Sequence, residues 1–386
     1  MNNTTPAPLM TSEPGSFARF TIMERKPQII QQVIEDNDYS PKILTALEAL
    51  RQEIVQGRLQ SLTEQAPDAD LWNREAAVYQ DKTWLDLPWY FAETYFYRRL
   101  LEAVRYFQPG PWRERDPFAP QKRAQERAAV DWMAANWEQL DGMAAAEKFE
   151  ALLHSCLWGN RADLSNFTVQ EEISGGTAAA TERHNILIDH TDQIAALLAD
   201  GVARVEFIND NAGQELLFDL LLADFFLTQG LAQTIVFHLK GQPFFVSDAM
   251  IADVRELLAL LQHEAVGRRL RAHLLEARLV LKDNPFWSSC LMFRQMPQVL
   301  SAELAHSNLT IFKGDVNYRR LLDDAHWPHT ARMDKITDYL MSPFVTLRTL
   351  KGEIMVGLTP EQAETIAAQD PTWLINGKRG IIQFVN

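Results

Sequence analysis

Two cysteines, Cys156 and Cys290, are the only thiols in 386 residues. They exclude a disulfide framework and a cysteine-built zinc site. Basic residues are also scarce: 37 Lys and Arg stand against 51 Asp and Glu, a net charge of −14. That excludes the broad basic face a nucleic-acid binder needs, and it disfavours docking on anionic membrane. No apolar run reaches the length of a membrane span, because Asp219 and Asp224 interrupt even the most hydrophobic helical stretch. Familiar nucleophile and phosphate-loop templates are missing as well. The chain has no Gly-x-x-x-x-Gly-Lys loop and no Gly-x-Ser-x-Gly elbow, and His263-Glu264 lacks the second histidine of a zinc-protease helix. The opening stretch MNNTTPAPLMTSEPGSF has no basic segment followed by an apolar one. It reads as a disordered tail over 1–18, not a secretory signal, and the expected compartment is the cytoplasm.

What is present falls into two textures. Residues 19–158 read as helices. Ser40-Pro41 is a start signal, with Ile43, Leu44, Leu47, Leu50, Ile54 and Val55 behind it at helical spacing. Further amphipathic patterns cover Leu71–Tyr79, Trp89–Tyr106, Gln121–Trp137 and Ala144–Leu157. From 159 to 386, short apolar runs alternate with helical patterns. The runs are Arg204–Ile208, Thr234–Leu239, Leu309–Phe312, Val345–Leu350, Ile354–Leu358 and Gly380–Val385. The helices are Gln214–Gln229, Ala249–Gln262, Gln298–His306 and Pro360–Ala368. This alternation predicts an α/β three-layer sandwich, with a central mixed, largely parallel sheet behind a helical N-terminal region.

In open α/β sheets, ligands bind beyond the carboxyl ends of the strands. Those ends are where this sequence concentrates charge. Asn209-Asp210-Asn211 follows the first run, and Asp248 follows the second. Lys313-Gly314-Asp315 through Arg319 follows the third, and Arg348-Thr349-Leu350-Lys351 closes the fourth. Taken singly, Asp248 is a good helix N-cap and Gly314-Asp315 a good turn. Taken together, Asp210, Asn211 and Asp248 offer three hard oxygen ligands of the kind that suits magnesium or manganese. Lys313, Arg319, Arg348 and Lys351 supply cations in an otherwise acidic protein. A divalent ion beside cations is the usual apparatus for a phosphate.

The same stretches carry a resemblance. Asp210-Asn211-Ala212-Gly213-Gln214-Glu215-Leu216, Val246-Ser247-Asp248, Phe312 through Arg319 and Arg348-Thr349-Leu350-Lys351 resemble the metal-dependent damage-control phosphatases. The likeness is to the branch with an Arg-Thr-x-Lys element, once described as acidic-residue methyltransferases. Leu157 through Ser165, Asn376 through Phe384 and the aromatic helix Trp89 through Arg99 are similar too. The likeness runs from about residue 20 to the end. It implies a divalent-metal enzyme (manganese, cobalt, nickel or magnesium) that hydrolyses small phosphorylated metabolites, with hexose phosphates such as fructose 1-phosphate or fructose 6-phosphate as substrates. It implies Asp210, Asn211 and Asp248 as metal ligands and catalytic residues. It implies Asp315, Val316, Asn317, Tyr318, Arg319 and Lys351 as substrate contacts.

In this reading Lys351 and Arg319 offset phosphate charge, and either water or an aspartate attacks phosphorus. Asn160 and Asp163 are candidates for sugar hydroxyls, with loop structure as the equal alternative. Glu93 is a weaker candidate on the aromatic helix, where core or interdomain pairing is the simpler role. Two rivals stay open. One is an S-adenosylmethionine-dependent protein carboxyl methyltransferase, although the strand-to-helix turn holds only Gly213 where a nucleotide-like cofactor wants several glycines. The other is a non-catalytic sugar-phosphate binding protein. The expected partner is a small sugar phosphate, with neither nucleic acid nor membrane, and the sequence carries no sign of oligomeric state.

Overall fold

The computed structural model describes residues 5–159 and 183–386. Seven strands form one sheet in the order β1-β7-β6-β5-β2-β3-β4. They are β1 (Ile186–Asp189), β2 (Val202–Ile208), β3 (Ala232–Leu239), β4 (Leu279–Asp283), β5 (Leu309–Lys313), β6 (Phe344–Thr349) and β7 (Gly380–Val385). The five strands from β6 to β4 run parallel; β7 lies antiparallel to β6, and β1 runs with β7. The sheet is therefore mixed and mostly parallel, as the alternating pattern predicts.

The central strands read as apolar runs because both faces are covered. Val205 and Phe207 point into one core, with the Ala119–Gly142, Ala145–Trp158 and Gln214–Thr228 helices. Ile208 and Phe312 point into the other, with Trp287, Phe293, Leu300 and Tyr318. Each such buried Val, Ile, Leu or Phe contributes about 1.5–3 kcal/mol of transfer free energy. A third core joins the N-terminal helices through Trp72, Trp84, Phe91 and Tyr95, and Phe244 and Cys290 from the α/β part pack into it.

Topology places the site. From β2 the chain steps outward to β3 and β4, then returns to pair β5 on the other side of β2. The crevice beyond the carboxyl ends of β2 and β5 is thus a switch point, where loops diverge and a ligand can enter.

Two expectations are corrected. The tail over 1–18 is packed from its middle onward. Leu9 is buried, its N–H donates to the Asp324 carbonyl, and Thr11 hydrogen-bonds the Trp84 and Leu87 carbonyls. Polar composition hid these long-range partners. The apolar run Ile354–Leu358 is a buried loop, not a strand. Side chains satisfy part of its backbone: the Ile354 carbonyl accepts from Arg348, and the Val356 N–H donates to the Tyr318 hydroxyl at 3.1 Å. The outer strands β1 and β4 leave no clear apolar run in the sequence, because each is short and ends in Asp189 or Asp283. Asn160 and Asp163 lie outside the described residues.

Candidate active site

β2 ends at Ile208, and the next residues are stitched to those after β3. The Ala249 N–H donates to the Asp210 carbonyl at 2.7 Å, and the Ala212 N–H donates to the Ser247 carbonyl at 2.7 Å. Asn211 and Asp248 pair as a one-residue antiparallel bridge. These backbone bonds bring Asp210, Asn211 and Asp248 to one rim of a cleft of about 200 Å³. Asp248 is not the helix cap its position suggests. The helix starts later, at Ile251, where Asp253 accepts from the Met250 N–H at 2.7 Å. Asp248 is thereby free for another role, and its Oδ2 lies 3.1 Å from Lys240 Nζ.

The electrostatics of the rim are unbalanced. Asp210 Oδ1 is buried with no hydrogen-bond partner among the described residues. Asp210 Oδ2 accepts from Asn211 Nδ2 at 2.8 Å, and the same amide donates to Glu215 Oε2 at 2.8 Å. Asn211 Oδ1 accepts from the Ser247 hydroxyl at 2.6 Å. Burial, with Asp248 and Glu215 close by, pushes the Asp210 carboxyl far above the usual carboxylate range. Burial raises Asp248 too, against the pull of Lys240. Crowded, desolvated carboxylates of this kind either hold protons or hold a cation. Their hard oxygens, with one lone-pair face left open on Asp210, fit a magnesium- or manganese-type ion.

Behind the rim, cations that looked free in the sequence are committed. Lys313 is fully buried; its Nζ donates to Asp219 Oδ1 at 2.7 Å, the Cys156 carbonyl at 2.7 Å and Glu215 Oε1 at 3.1 Å. Asp315 faces the cleft with its carboxylate clasped between two arginines. Arg348 Nε donates to Oδ1 at 2.7 Å, and Arg319 Nε donates to Oδ2 at 2.8 Å. Burial opposes the charge, but Arg348 and Arg319 outweigh it and hold this carboxyl at about 2.

Arg319 also donates to Asp324 at 2.7 Å and stacks 3.9 Å from the Trp89 ring centre. It does not line the cleft. Its expected role as a free phosphate cation is therefore corrected: a fully buried guanidinium is stable only when paired, and here it is paired twice. Asn317 and Tyr318 are buried structural residues: Asn317 Nδ2 donates to the Lys313 carbonyl at 2.7 Å, and the Tyr318 hydroxyl holds Val356. Neither lines the cleft, whereas Val316 does.

Two cations do face it. Lys351, expected from its strand end, is exposed on the cleft wall and has no ion pair among the described residues. Arg25, which sequence reasoning missed, is likewise exposed on the wall and unpaired among the described residues. It comes from the N-terminal helical part, so no strand-end argument reaches it. Glu93 also lines the cleft and pairs with Lys26, whose ammonium burial pulls down to about 8. Phe17, Trp89, Tyr97 and Phe245 complete an aromatic side. The cleft thus lies between the helical region and the sheet edge, and neither builds it alone.

A second convergence of ligand atoms lies elsewhere. Glu206, His238 and Glu303 bring theirs within 4.8 Å of one another. These donors are already engaged: His238 pairs with Glu206, Arg204 reaches Glu206 and Glu303, and Lys282 reaches Glu303. None of the three lines the cleft.

The family model of the damage-control phosphatase ARMT1-like domain matches residues 21–366. Relatives named damage-control phosphatase ARMT1 include a zebrafish (Danio rerio) protein, 32% identical over 436 residues, covering 98% of this chain and 97% of its own. The rat (Rattus norvegicus) protein of that name is 32% identical and the human (Homo sapiens) one 31%, each covering 98% of both chains. Among solved structures, a DUF89 family protein from Pyrococcus horikoshii shares the fold with a TM-score of 0.51 at 13% identity, over 93% of this chain and 95% of its own. The strand-end residues and these relatives lead to one conclusion: the chain belongs to the ARMT1-like damage-control phosphatases, a family of phosphatase enzymes.

Proposed function

We propose that this phosphatase depends on a divalent metal held by Asp210, Asn211 and Asp248, and that it acts on small phosphorylated metabolites, with hexose phosphates such as fructose 1-phosphate or fructose 6-phosphate as its substrates. The observation that carries the reading is the buried Asp210 Oδ1, unpartnered among the described residues, amid carboxylates on a cleft that Lys351 and Arg25 also line. Manganese or magnesium suits the oxygen donors, and the resemblance adds cobalt and nickel. When bound, such an ion supplies positive charge and Lewis acidity for the phosphoryl group.

The chain's own residues do the rest. Lys351 and Arg25 meet phosphate charge at the cleft wall, where the net charge of −14 gives a dianion no general attraction. Arg319 and Arg348 hold Asp315 ionised and fixed in direction, so it can accept from a sugar hydroxyl without changing protonation. Lys313 fixes Glu215, and through it the Asn211 amide. The aromatic side excludes water and offers flat surface to a sugar ring. The methyl-transfer and non-catalytic readings have no observation of their own in this cleft.

The test is phosphate release from a panel of sugar phosphates and unrelated phosphomonoesters, on manganese-loaded protein. Hexose phosphates should lead the panel by at least about tenfold in kcat/KM, the effect of one well-placed polar contact. Turnover of other esters with hexose phosphates inert would overturn the substrate class.

A further inference from the structure

A second cleft, of about 580 Å³, opens between the start of the Ala119–Gly142 helix and the start of the Ile251–Leu260 helix. Its wall carries seven acidic residues against Arg115, Lys122 and Arg123. The imbalance is sharper than the count suggests, because Lys122 is already spent. Its ammonium lies 2.9 Å from Asp116 and 3.1 Å from Asp253, and it donates to the Asp248 carbonyl at 2.7 Å. Arg115 lies over the Trp112 ring at 5.7 Å.

Glu126 lines this cleft. It is 1% exposed, and both its carboxylate oxygens are buried without a hydrogen-bond partner among the described residues. A buried, unpaired carboxylate is costly, so such a group calls for a partner. Burial, with Asp253 and Glu256 alongside, pushes its carboxyl up to about 8.

We infer that this cleft is a binding site for a small organic polycation of the polyamine class, with Glu126 as its deepest contact. Size and spacing favour an organic cation over a bare metal ion. Among the described residues, no three carboxylate ligand atoms on this wall come within 4.8 Å of one another, as an ion's coordination shell would need. A flexible chain with several ammonium groups can reach separated carboxylates such as Glu126, Glu256 and Asp38. The site is separate from the catalytic cleft, and Lys122 links the two through the Asp248 main chain. The inference therefore stands or falls independently of the phosphatase reading.

The test is isothermal titration calorimetry of the full chain with spermidine at fixed ionic strength. The result expected is saturable one-to-one binding, weakened about tenfold by Glu126→Gln, the loss of one charge-assisted bond. Glu256→Gln, an exposed change with little risk to folding, should weaken it by a smaller factor. Glu364→Gln, an exposed helical carboxylate outside the cleft, should leave it unchanged. Absence of saturable binding, equal affinity in Glu126→Gln, or one-for-one displacement by magnesium at constant ionic strength would each overturn the proposal.

Discussion

Gly314→Ala should cripple the enzyme while leaving it folded. Gly314 follows β5 with φ +78°, and an added Cβ would stand 1.9 Å from Asp210 Oδ2 and 2.4 Å from its Cγ. Left-handed backbone costs an L-residue about 1–2 kcal/mol. The contact is the larger problem. Ordinary van der Waals separation is about 3.5 Å, so the carboxylate or the turn must move by roughly 1.5 Å. Asp210 has little room to yield: it is buried, its Oδ2 is held by Asn211, and Asp248 and Glu215 crowd it. Catalytic constellations tolerate displacements of about 0.5 Å, and a misplacement near 1 Å costs on the order of a hundredfold in rate. The expected outcome is a fall in kcat/KM of at least about a hundredfold, with weaker manganese affinity and a modest loss of Tm. Gly230→Ala is the matched control. Its φ is +73° and nothing lies within 4 Å of an added Cβ, so it should lose a similar amount of stability and keep activity. Kinetics of phosphate release across a manganese titration, beside thermal melts of both variants, decide the matter. Near wild-type kcat/KM in Gly314→Ala at limiting manganese would refute the placement of the ion at Asp210.

The remaining expectations concern the cleft walls. Lys351→Met and Arg25→Met should each lower kcat/KM on a hexose phosphate by roughly ten- to a hundredfold while leaving manganese affinity unchanged, since a charge-assisted bond contributes about 1.5–3 kcal/mol; unchanged kinetics in either removes that residue from the site. Asp210→Asn should raise the Tm of metal-free protein, because it relieves a buried, crowded carboxylate, and should abolish the further rise that manganese gives wild type; a lower metal-free Tm, or a retained manganese response, would contradict the assignment. Asp315→Asn should destabilise the fold by about 3 kcal/mol in urea, the cost of breaking a buried pair; a change below about 1 kcal/mol would mean Arg319 and Arg348 do not depend on it.

Sequence and structure agree most closely where physics is local. β2, β3, β5 and β6 were legible because parallel strands covered on both faces are unbroken apolar runs, and their carboxyl ends follow directly. Asp210, Asn211, Asp248, Asp315, Val316 and Lys351 do meet at one cleft. What was not legible depends on partners far away in the chain. Lys313, Arg319 and Arg348 have the right charge at the right strand ends, yet Asp219, Glu215, Asp315 and Asp324 consume them. A strand-end rule identifies residue types, and it cannot say whether a cation points at solvent or at a buried carboxylate. Arg25 shows the converse. It lies about 185 residues before Asp210, in a helical stretch with no periodic or motif signal, and only tertiary packing brings it to the wall. Glu215 stands in the strand-end motif that follows Asp210, but its link between Asn211 and Lys313 is visible only in three dimensions.

The most direct test of the account is phosphate release by protein stripped with chelator and then titrated with manganese. The stripped protein should be inactive, and turnover should return in proportion to occupancy of a single class of site that Asp210→Asn removes. Undiminished turnover after rigorous stripping, or full reactivation of Asp210→Asn at the same manganese concentration, would contradict it.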